Sequence, residues 1–217
     1  MAETVRVVVD AMGGDNAPAE PVKAAVEAVA EREDIDVILT GRQDVIEKEL
    51  SKFQNYPKER IQIVNTTEVI ETAEPPVLAI RKKKDSSIVK KQEAEAFVSS
   101  GSSGAILVGG QVIVGRSKGV QRPPLAPLIP TQNGVSLLID CGANVDARPE
   151  HLVQFAKMGS IYMEDVVGIK NPRVAIVNIG AEEEKGNALV KETFPLLKEC
   201  PGINFIGSIE ARDIPAG

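Results

Sequence analysis

The sequence predicts an α/β fold with a mostly parallel sheet and helices on both faces. Three observations lead there. Short apolar runs alternate with amphipathic stretches along all 217 residues, the pattern of strands joined by crossover helices. The runs are nearly continuous in Val and Ile, as strands buried on both faces require. The first run, Val5 to Val9, ends in Asp10 and a loop "DAMGGDNAP", where a strand would turn into a helix.

Strands are expected at Thr4–Val9, Asp36–Leu39, Ile61–Val64, Ala96–Ser99, Val135–Ile139, Val174–Asn178 and Asn204–Ile209. These runs are rich in Val and Ile and bounded by turn or cap residues. Helices are expected at Pro21–Ala30, Asp44–Leu50 and Glu150–Val167, where polar residues are spaced along apolar ones. Glu184–Leu197 has a helical period, and Pro195 should end or kink it early, because proline lacks the N–H and crowds the preceding turn. The stretch from "DSSIV" to "EAFVSS" is shorter than a crossover helix with its loops, which needs at least about ten to twelve residues. The expected organisation is a single α/β domain spanning 1–217, lacking an internal helical segment near 89–92. "DIPAG" at the end reads as a turn into another element, so a C-terminal part is also expected to be missing.

Aromatic residues make up only 3% and Trp is absent, so the core must be aliphatic and a base-stacking platform is disfavoured. The net charge of −6 also disfavours nucleic acid as a partner. Positive charge is nevertheless clustered at Arg81, Lys82, Lys83 and Lys84, with Lys90 and Lys91 close by, and again at Arg116, Lys118 and Arg122. Such runs are ordinarily solvated surface; on an acidic protein they also form a patch that steers an anionic partner. Cys141 and Cys200 are too few and too far apart for a metal site or a redox pair, so two reduced thiols in a cytoplasmic protein are expected. "MAETVRV" lacks the apolar core of a secretory leader, and the apolar stretch Ile106–Val114 is far too short to span a bilayer.

In open α/β sheets, ligands bind beyond the carboxyl ends of the strands. The loops there are "DAMGGDNAP", "SSGSSGA" (Ser99–Ala105), "DCGANVD" (Asp140–Asp146), "NIGAEEEKGN" (Asn178–Asn187) and "GSIEARDIP". "GSSGA" offers two hydroxyls and backbone N–H groups at a helix start, a ready anion site. Lys185 supplies positive charge for phosphate or a developing oxyanion, and Asn16, Asn144 and Asn187 can donate amide hydrogen bonds. Plainer readings stand beside these: a solvated lysine after three glutamates, and asparagines that cap helices or make turns. His151, the only histidine, sits early in an expected helix and reads as structural. Asp10, Asp140 and Asp146 offer oxygen ligands for a divalent ion, yet Asp at a strand end commonly caps its loop. Clustered His and Cys for a metal are lacking.

"VDAMGGDNAP", "RKKKDSS", "AFVSSGSSGA", "RPPLAPLIPT", "DCGANVD", "PEHLVQFAKMGSIY", "GIKNPRVAIVNIGAEEEKGN" and "GSIEARDIP" follow one another in that order. Together they closely resemble the bacterial phosphate acyltransferases of phospholipid synthesis, the PlsX family, from end to end of the chain. The resemblance implies a Rossmann-like three-layer α/β/α sandwich, similar to isocitrate and isopropylmalate dehydrogenases and to phosphotransacetylase. It implies a homodimer, cytoplasmic or peripheral at the inner face of the membrane, that converts acyl-(acyl carrier protein) and inorganic phosphate to acyl phosphate without a cofactor or metal. It implies that Lys185 and Asn187 are catalytic, and that Asp10, Gly13, Gly14, Asn16, Ser102, Ser103, Gly104 and Asn144 bind substrate or phosphate. Carrier protein is acidic, so Arg81, Lys82, Lys83, Lys84, Arg116 and Arg122 become candidate docking charges. The chain ends before a further strand and a "DGF-GN"-like block of that family. Two other classes remain open: a related enzyme of the decarboxylating-dehydrogenase or phosphotransacetylase kind, and a non-catalytic dimeric or membrane-surface scaffold. No dinucleotide fingerprint favours the dehydrogenase.

Overall fold

The structure, a computed structural model, describes residues 4–90 and 93–217. Of the segment near 89–92, residues 91 and 92 lie outside the described residues, as do residues 1–3 of the "MAETVRV" start. The chain, expected from its sequence as one domain, divides into two compact units, Met1–Gly115 and Arg116–Gly217.

The first unit runs β1 (Val5–Asp10), α1 (Ala19–Glu31), β2 (Ile35–Gly41), α2 (Gln43–Leu50), β3 (Ile61–Asn65), α3 (Pro76–Lys82), β4 (Ala96–Val98) and α4 (Ser103–Gly109), with a wider turn of helix at Gly110–Val114. The sheet order is β3-β2-β1-β4 and every pairing is parallel. Helix α1 buries Val22, Ala25, Val26 and Val29, the i, i+3, i+4, i+7 face of an amphipathic helix. That face closes on Val37, Leu39 and Ile46. A second cluster, Ile70, Ala79, Ile80, Val89 and Ala105, lies beneath α3 and α4. Those two helices have seven residues each, too few for a 3.6-residue period to stand out in the sequence. One expectation fails here. Strands buried on both faces were expected throughout, but all three residues of β4 are exposed, Val98 by 52%. It is one of the two edge strands of this sheet.

The second unit runs β5 (Leu128–Thr131), β6 (Gly134–Leu137), α5 (Pro149–Asp165), β7 (Arg173–Asn178), α6 (Ala188–Lys198), β8 (Asn204–Glu210) and a final 3-10 turn. Strands β7 and β8 pair in parallel. The expected parallel strand at 135–139 is instead the second arm of an antiparallel hairpin with β5. Its partner was hidden because Pro130 cannot donate to a ladder and reads as a strand breaker. Helix α6 starts later than expected, since Asn187 caps it by accepting from Val190 N at 3.0 Å. It also runs through Pro195 to Lys198, so the proline does not end it early, although it cannot donate the i→i−4 hydrogen bond to Lys191 O. Phe194 of α6 meets Phe205 of β8 edge-on at 5.2 Å between ring centroids, inside a core with Ala156 and Ile176.

The α/β fold with a mostly parallel sheet and flanking helices is thus present. Among the described residues, no helix is long and apolar enough to cross a membrane.

Candidate functional site

In the first unit the strand order reverses between β1 and β4, because β2 and β3 build out one side and the chain then returns to lay β4 on the other. A reversal of this kind opens a crevice at the carboxyl ends of the two strands. Asp10 closes β1 there and is only 2% exposed. Its Oδ2 accepts from Ser99 Oγ at 2.7 Å and its Oδ1 from Met12 N at 3.0 Å. Ser99 Oγ in turn accepts from Gly101 N at 3.0 Å. The two strand-end loops are therefore latched together through one carboxylate and one hydroxyl.

The adjacent glycines of "MGGDN" do two different jobs. A Cβ on Gly13 would lie 2.6 Å from Asp10 Oδ2, 2.7 Å from Ser99 Oγ and 2.8 Å from Gly101 N, so only a bare backbone fits against the latch. Gly14 has φ +100°, a conformation L side chains rarely adopt. Beside the latch lies a cavity of about 570 Å³, within the size range of small-molecule sites. Asp10, Gly13, Gly14, Asn16 and Ser99 line its polar end, and Val7, Ala24, Ala28 and Val98 its apolar walls. Asp15 and Glu20 also reach that end, so this wall is acidic and does not by itself attract an anion.

Ser102, Ser103 and Gly104 open α4 and are not part of that lining. Ser102 is buried and caps the helix, accepting from Ala105 N at 3.3 Å, while Ser103 is exposed. Gly104 lets α4 approach α3, since a Cβ there would lie 2.8 Å from Pro76 Cγ. In the basic run, Lys83 is held by Glu74 and by the Val69 carbonyl, and its ammonium keeps the Glu74 carboxyl below its ordinary range. Lys84 donates to Ile80 O at 3.1 Å. Arg81 and Lys82 are exposed and have no ion-pair partner among the described residues.

In the second unit the loop from β7 to α6 carries Lys185. Asn178, the last residue of β7, donates from Nδ2 to Lys185 O at 3.0 Å and accepts at Oδ1 from Ile179 N at 2.8 Å. Gly186 follows with φ +108°, and Asn187 then caps α6. Lys185 Nζ lies 2.9 Å from Glu182 Oε2, both side chains being about half exposed. Hydrogen bonding to that carboxylate raises the lysine's pKa and lowers the glutamate's. The ammonium is thus held in its charged form by an exposed carboxylate.

Asn144 stands apart from this loop. Its backbone N–H donates to Asp140 Oδ2 at 2.7 Å and its Nδ2 to Pro123 O at 3.1 Å. Asp140 also accepts from Leu125 N at 2.6 Å, so it organises the "DCGANVD" loop. Asp146 pairs with Arg122, whose guanidinium holds its carboxyl below the usual range. Arg116 donates to Gln121 O. His151 is 1% exposed, and its Nδ1 accepts from Arg148 N at 3.1 Å at the start of α5. It has the structural placement the sequence suggested.

Three residues that hold these loops were not singled out from the sequence: Ser99, Asn178 and Gly180. Each lies inside a loop that was. Ser99 follows Val98, which pairs with Val9 in the register of β1 and β4. That pairing puts it level with Asp10, and only knowledge of strand order could have found it.

Comparison with known proteins adds a second kind of finding. A family model described as "Fatty acid synthesis protein" matches residues 5–217. The "Phosphate acyltransferase" of Alkaliphilus oremlandii (strain OhILAs) is 52% identical over 219 residues, covering 98% of this chain and 64% of that protein. The protein of the same name from Clostridium novyi (strain NT) is 50% identical over 219 residues, covering 98% of this chain and 65% of that one. The chain thus spans just under two-thirds of the length of these relatives. Among solved structures, EutD phosphotransacetylase from Staphylococcus aureus matches with a TM-score of 0.63 at 17% identity, covering 95% of this chain and 69% of that one. At that identity the likeness shows the fold.

Proposed function

The chain belongs to the fatty acid synthesis protein family, and on that premise we propose that it is an acyltransferase making acyl phosphate from acyl-(acyl carrier protein) and inorganic phosphate. The observation that carries this reading is identity of about one residue in two, across 98% of the chain, to proteins named phosphate acyltransferase.

No protein nucleophile is needed. A phosphate oxygen attacks the thioester carbonyl carbon and forms a C–O bond. The tetrahedral oxyanion collapses, the C–S bond breaks, and the carrier's thiolate leaves with the bonding electrons to be protonated by solvent. Thiolate is a good leaving group, so catalysis reduces to holding the reactants in line and neutralising charge. Lys185 is the cation we assign to that charge, exchanging Glu182 for phosphate or the oxyanion. Asn187 adds an amide donor, its Oδ1 being already committed to the α6 cap. Asp10, Gly13, Gly14 and Asn16 shape the cavity at the β1–β4 crevice, and we assign it to the substrate; Ser102, Ser103 and Gly104 form the start of α4 in the same unit, and Asn144 braces the "DCGANVD" loop of the second unit. Arg81, Lys82 and Arg116 are the accessible docking charges for an acidic carrier protein. A homodimer and a peripheral membrane contact complete the proposal, to be checked by sedimentation and by flotation with anionic vesicles.

The test mixes the chain with acyl-carrier thioester, with and without phosphate, and follows free thiol. Phosphate-dependent release is expected. Lys185→Ala should lower kcat by about 10²–10³, the usual effect of removing one oxyanion-directed donor. Lys185→Arg should recover little, because a planar fork does not replace a compact ammonium. Thiol release that ignores phosphate overturns the reading in favour of a thioester hydrolase, and no release at all overturns it in favour of a non-catalytic scaffold.

A further inference from the structure

The side chain of Lys185 crosses the backbone of Gly180. A Cβ added at Gly180 would lie 2.5 Å from Lys185 Cδ, 3.1 Å from its Nζ and 2.8 Å from Glu182 Oε2. Gly180 is itself buried, so its backbone forms a floor that the lysine covers. The loop is tied down at the same place. Asn178 Nδ2 holds Lys185 O at 3.0 Å, Asn178 Oδ1 holds Ile179 N at 2.8 Å, and Lys185 N donates to Glu182 O at 3.1 Å. A Cβ on Gly186 would lie 2.6 Å from Asn178 Oδ1, so the next residue is packed against the same amide. The main chain and the stem of Lys185 are therefore both held by residues at the β7 end of the loop.

From this geometry we infer that Asn178 and Gly180 are positioning residues for Lys185. Asn178 clamps the backbone from which the lysine projects, and Gly180 is the seat across which its flexible stem lies. The inference rests on the role proposed above for Lys185. Its physical ground is the sensitivity of catalysis to placement: an error of about 1 Å in a reacting group costs on the order of 10² in rate. A four-carbon stem reaches that accuracy only when something fixes it. Gly180 is not among the glycines with positive φ, so alanine's backbone fits there. Its methyl group would displace the movable lysine and leave the fold intact.

The test compares Gly180→Ala, Lys185→Ala and the double variant in the full chain, with thermal melting, kcat and KM. Gly180→Ala is expected to melt as wild type and to lose about 10–10² in kcat at nearly unchanged KM for the carrier thioester. The double variant should match Lys185→Ala alone, since the glycine acts only through the lysine. Asn178→Asp keeps the acceptor for Ile179 N, deletes the donor to Lys185 O, and should also lower kcat. The Lys185 Cε signal in ¹H–¹³C NMR needs no turnover. It should move on Gly180→Ala, and on addition of inorganic phosphate to wild type only. If Lys185→Ala is slow while Gly180→Ala has wild-type kcat, the seat is overturned and the proposed function stands. Wild-type turnover in Lys185→Ala overturns both. An unmoved Cε signal in Gly180→Ala overturns the seat whatever the rates.

Discussion

Asp10 and Ser99 stand 89 residues apart in the chain and meet at 2.7 Å across the carboxyl ends of β1 and β4. Their contact sits at the reversal of strand order, where an α/β sheet opens a crevice. It joins the two Gly-rich loops of the first unit, and the cavity beside it is lined by both partners.

Removing the hydroxyl should loosen that join. Ser99→Ala strips Asp10 Oδ2 of its donor and Gly101 N of its acceptor. A buried polar group left unpaired costs about 1–3 kcal/mol. A fall of that size in unfolding free energy is expected from urea titration; an unchanged midpoint would show that the latch contributes nothing.

Two glycine-to-alanine changes should have opposite signs. Gly13→Ala drives a methyl into Asp10, Ser99 and Gly101, and overpacking of this kind destabilises by about 1–3 kcal/mol. Gly110 has helical dihedrals and nothing within 4 Å of an added Cβ. Gly110→Ala should therefore stabilise, by about 0.5–1 kcal/mol through reduced chain entropy. Parallel urea curves for the two variants decide it.

Acid should expose the role of Asp85. Lys90 Nζ at 2.7 Å, then Thr67 Oγ1 at 2.8 Å and Thr67 N at 2.9 Å, donate to its carboxylate. They bring its pKa down from 3.8 to about 2. A carboxylate with a depressed folded-state pKa contributes stability that is present above its unfolded pKa and is lost as pH falls through the folded one. The stability difference between wild type and Asp85→Asn should therefore be constant above about pH 4 and shrink toward pH 2. A difference independent of pH across that window would remove Asp85 as its source.

Charge reversal should separate docking from folding within one basic run. Arg81→Glu with Lys82→Glu changes exposed side chains and should raise KM for the carrier protein, more at low salt than at high, without altering the melting temperature. Lys83→Glu instead sets two carboxylates together where Lys83 now meets Glu74, and should lower the melting temperature first. Equal KM at every ionic strength for the double reversal would return Arg81 and Lys82 to plain surface.

The elements that could be read from the chain are those whose local pattern agrees with their final environment. Val5–Asp10, Ile35–Gly41 and Ile61–Asn65 are β-branched runs with turn residues at their ends, and expectation and structure differ there by one or two residues. Helix α5, with Pro149 at its first turn and a buried face of His151, Phe155, Ala156 and Met163, announced itself in the same way. The hairpin did not, because Pro130 on β5 masks a strand that sits at an edge. The seven-residue helices α3 and α4 did not either.

Among the site residues, sequence marked the loops and left their internal wiring blank. "MGGDN" and "NIGAEEEKGN" could be recognised as strand-end loops, because glycine, asparagine and aspartate there have local reasons to turn the chain. Which glycine is needed for its φ and which for a contact could not be read, since two of the three groups that crowd Gly13, Ser99 Oγ and Gly101 N, come from the loop after β4, far along the chain.

By itself, then, the sequence determined the alternation of strands and helices, the aliphatic core, the Gly-rich loops at strand ends and, through its ordered blocks, the family. Those properties reside in neighbouring residues and need no knowledge of the fold. Tertiary structure alone decided that β4 lies beside β1, so that Asp10 and Ser99 become partners, that Lys83 is engaged while Arg81 and Lys82 are exposed, and that Lys185 lies over Gly180. Strand order and side-chain contact depend on where the chain returns after a crossover, and no local propensity encodes that path.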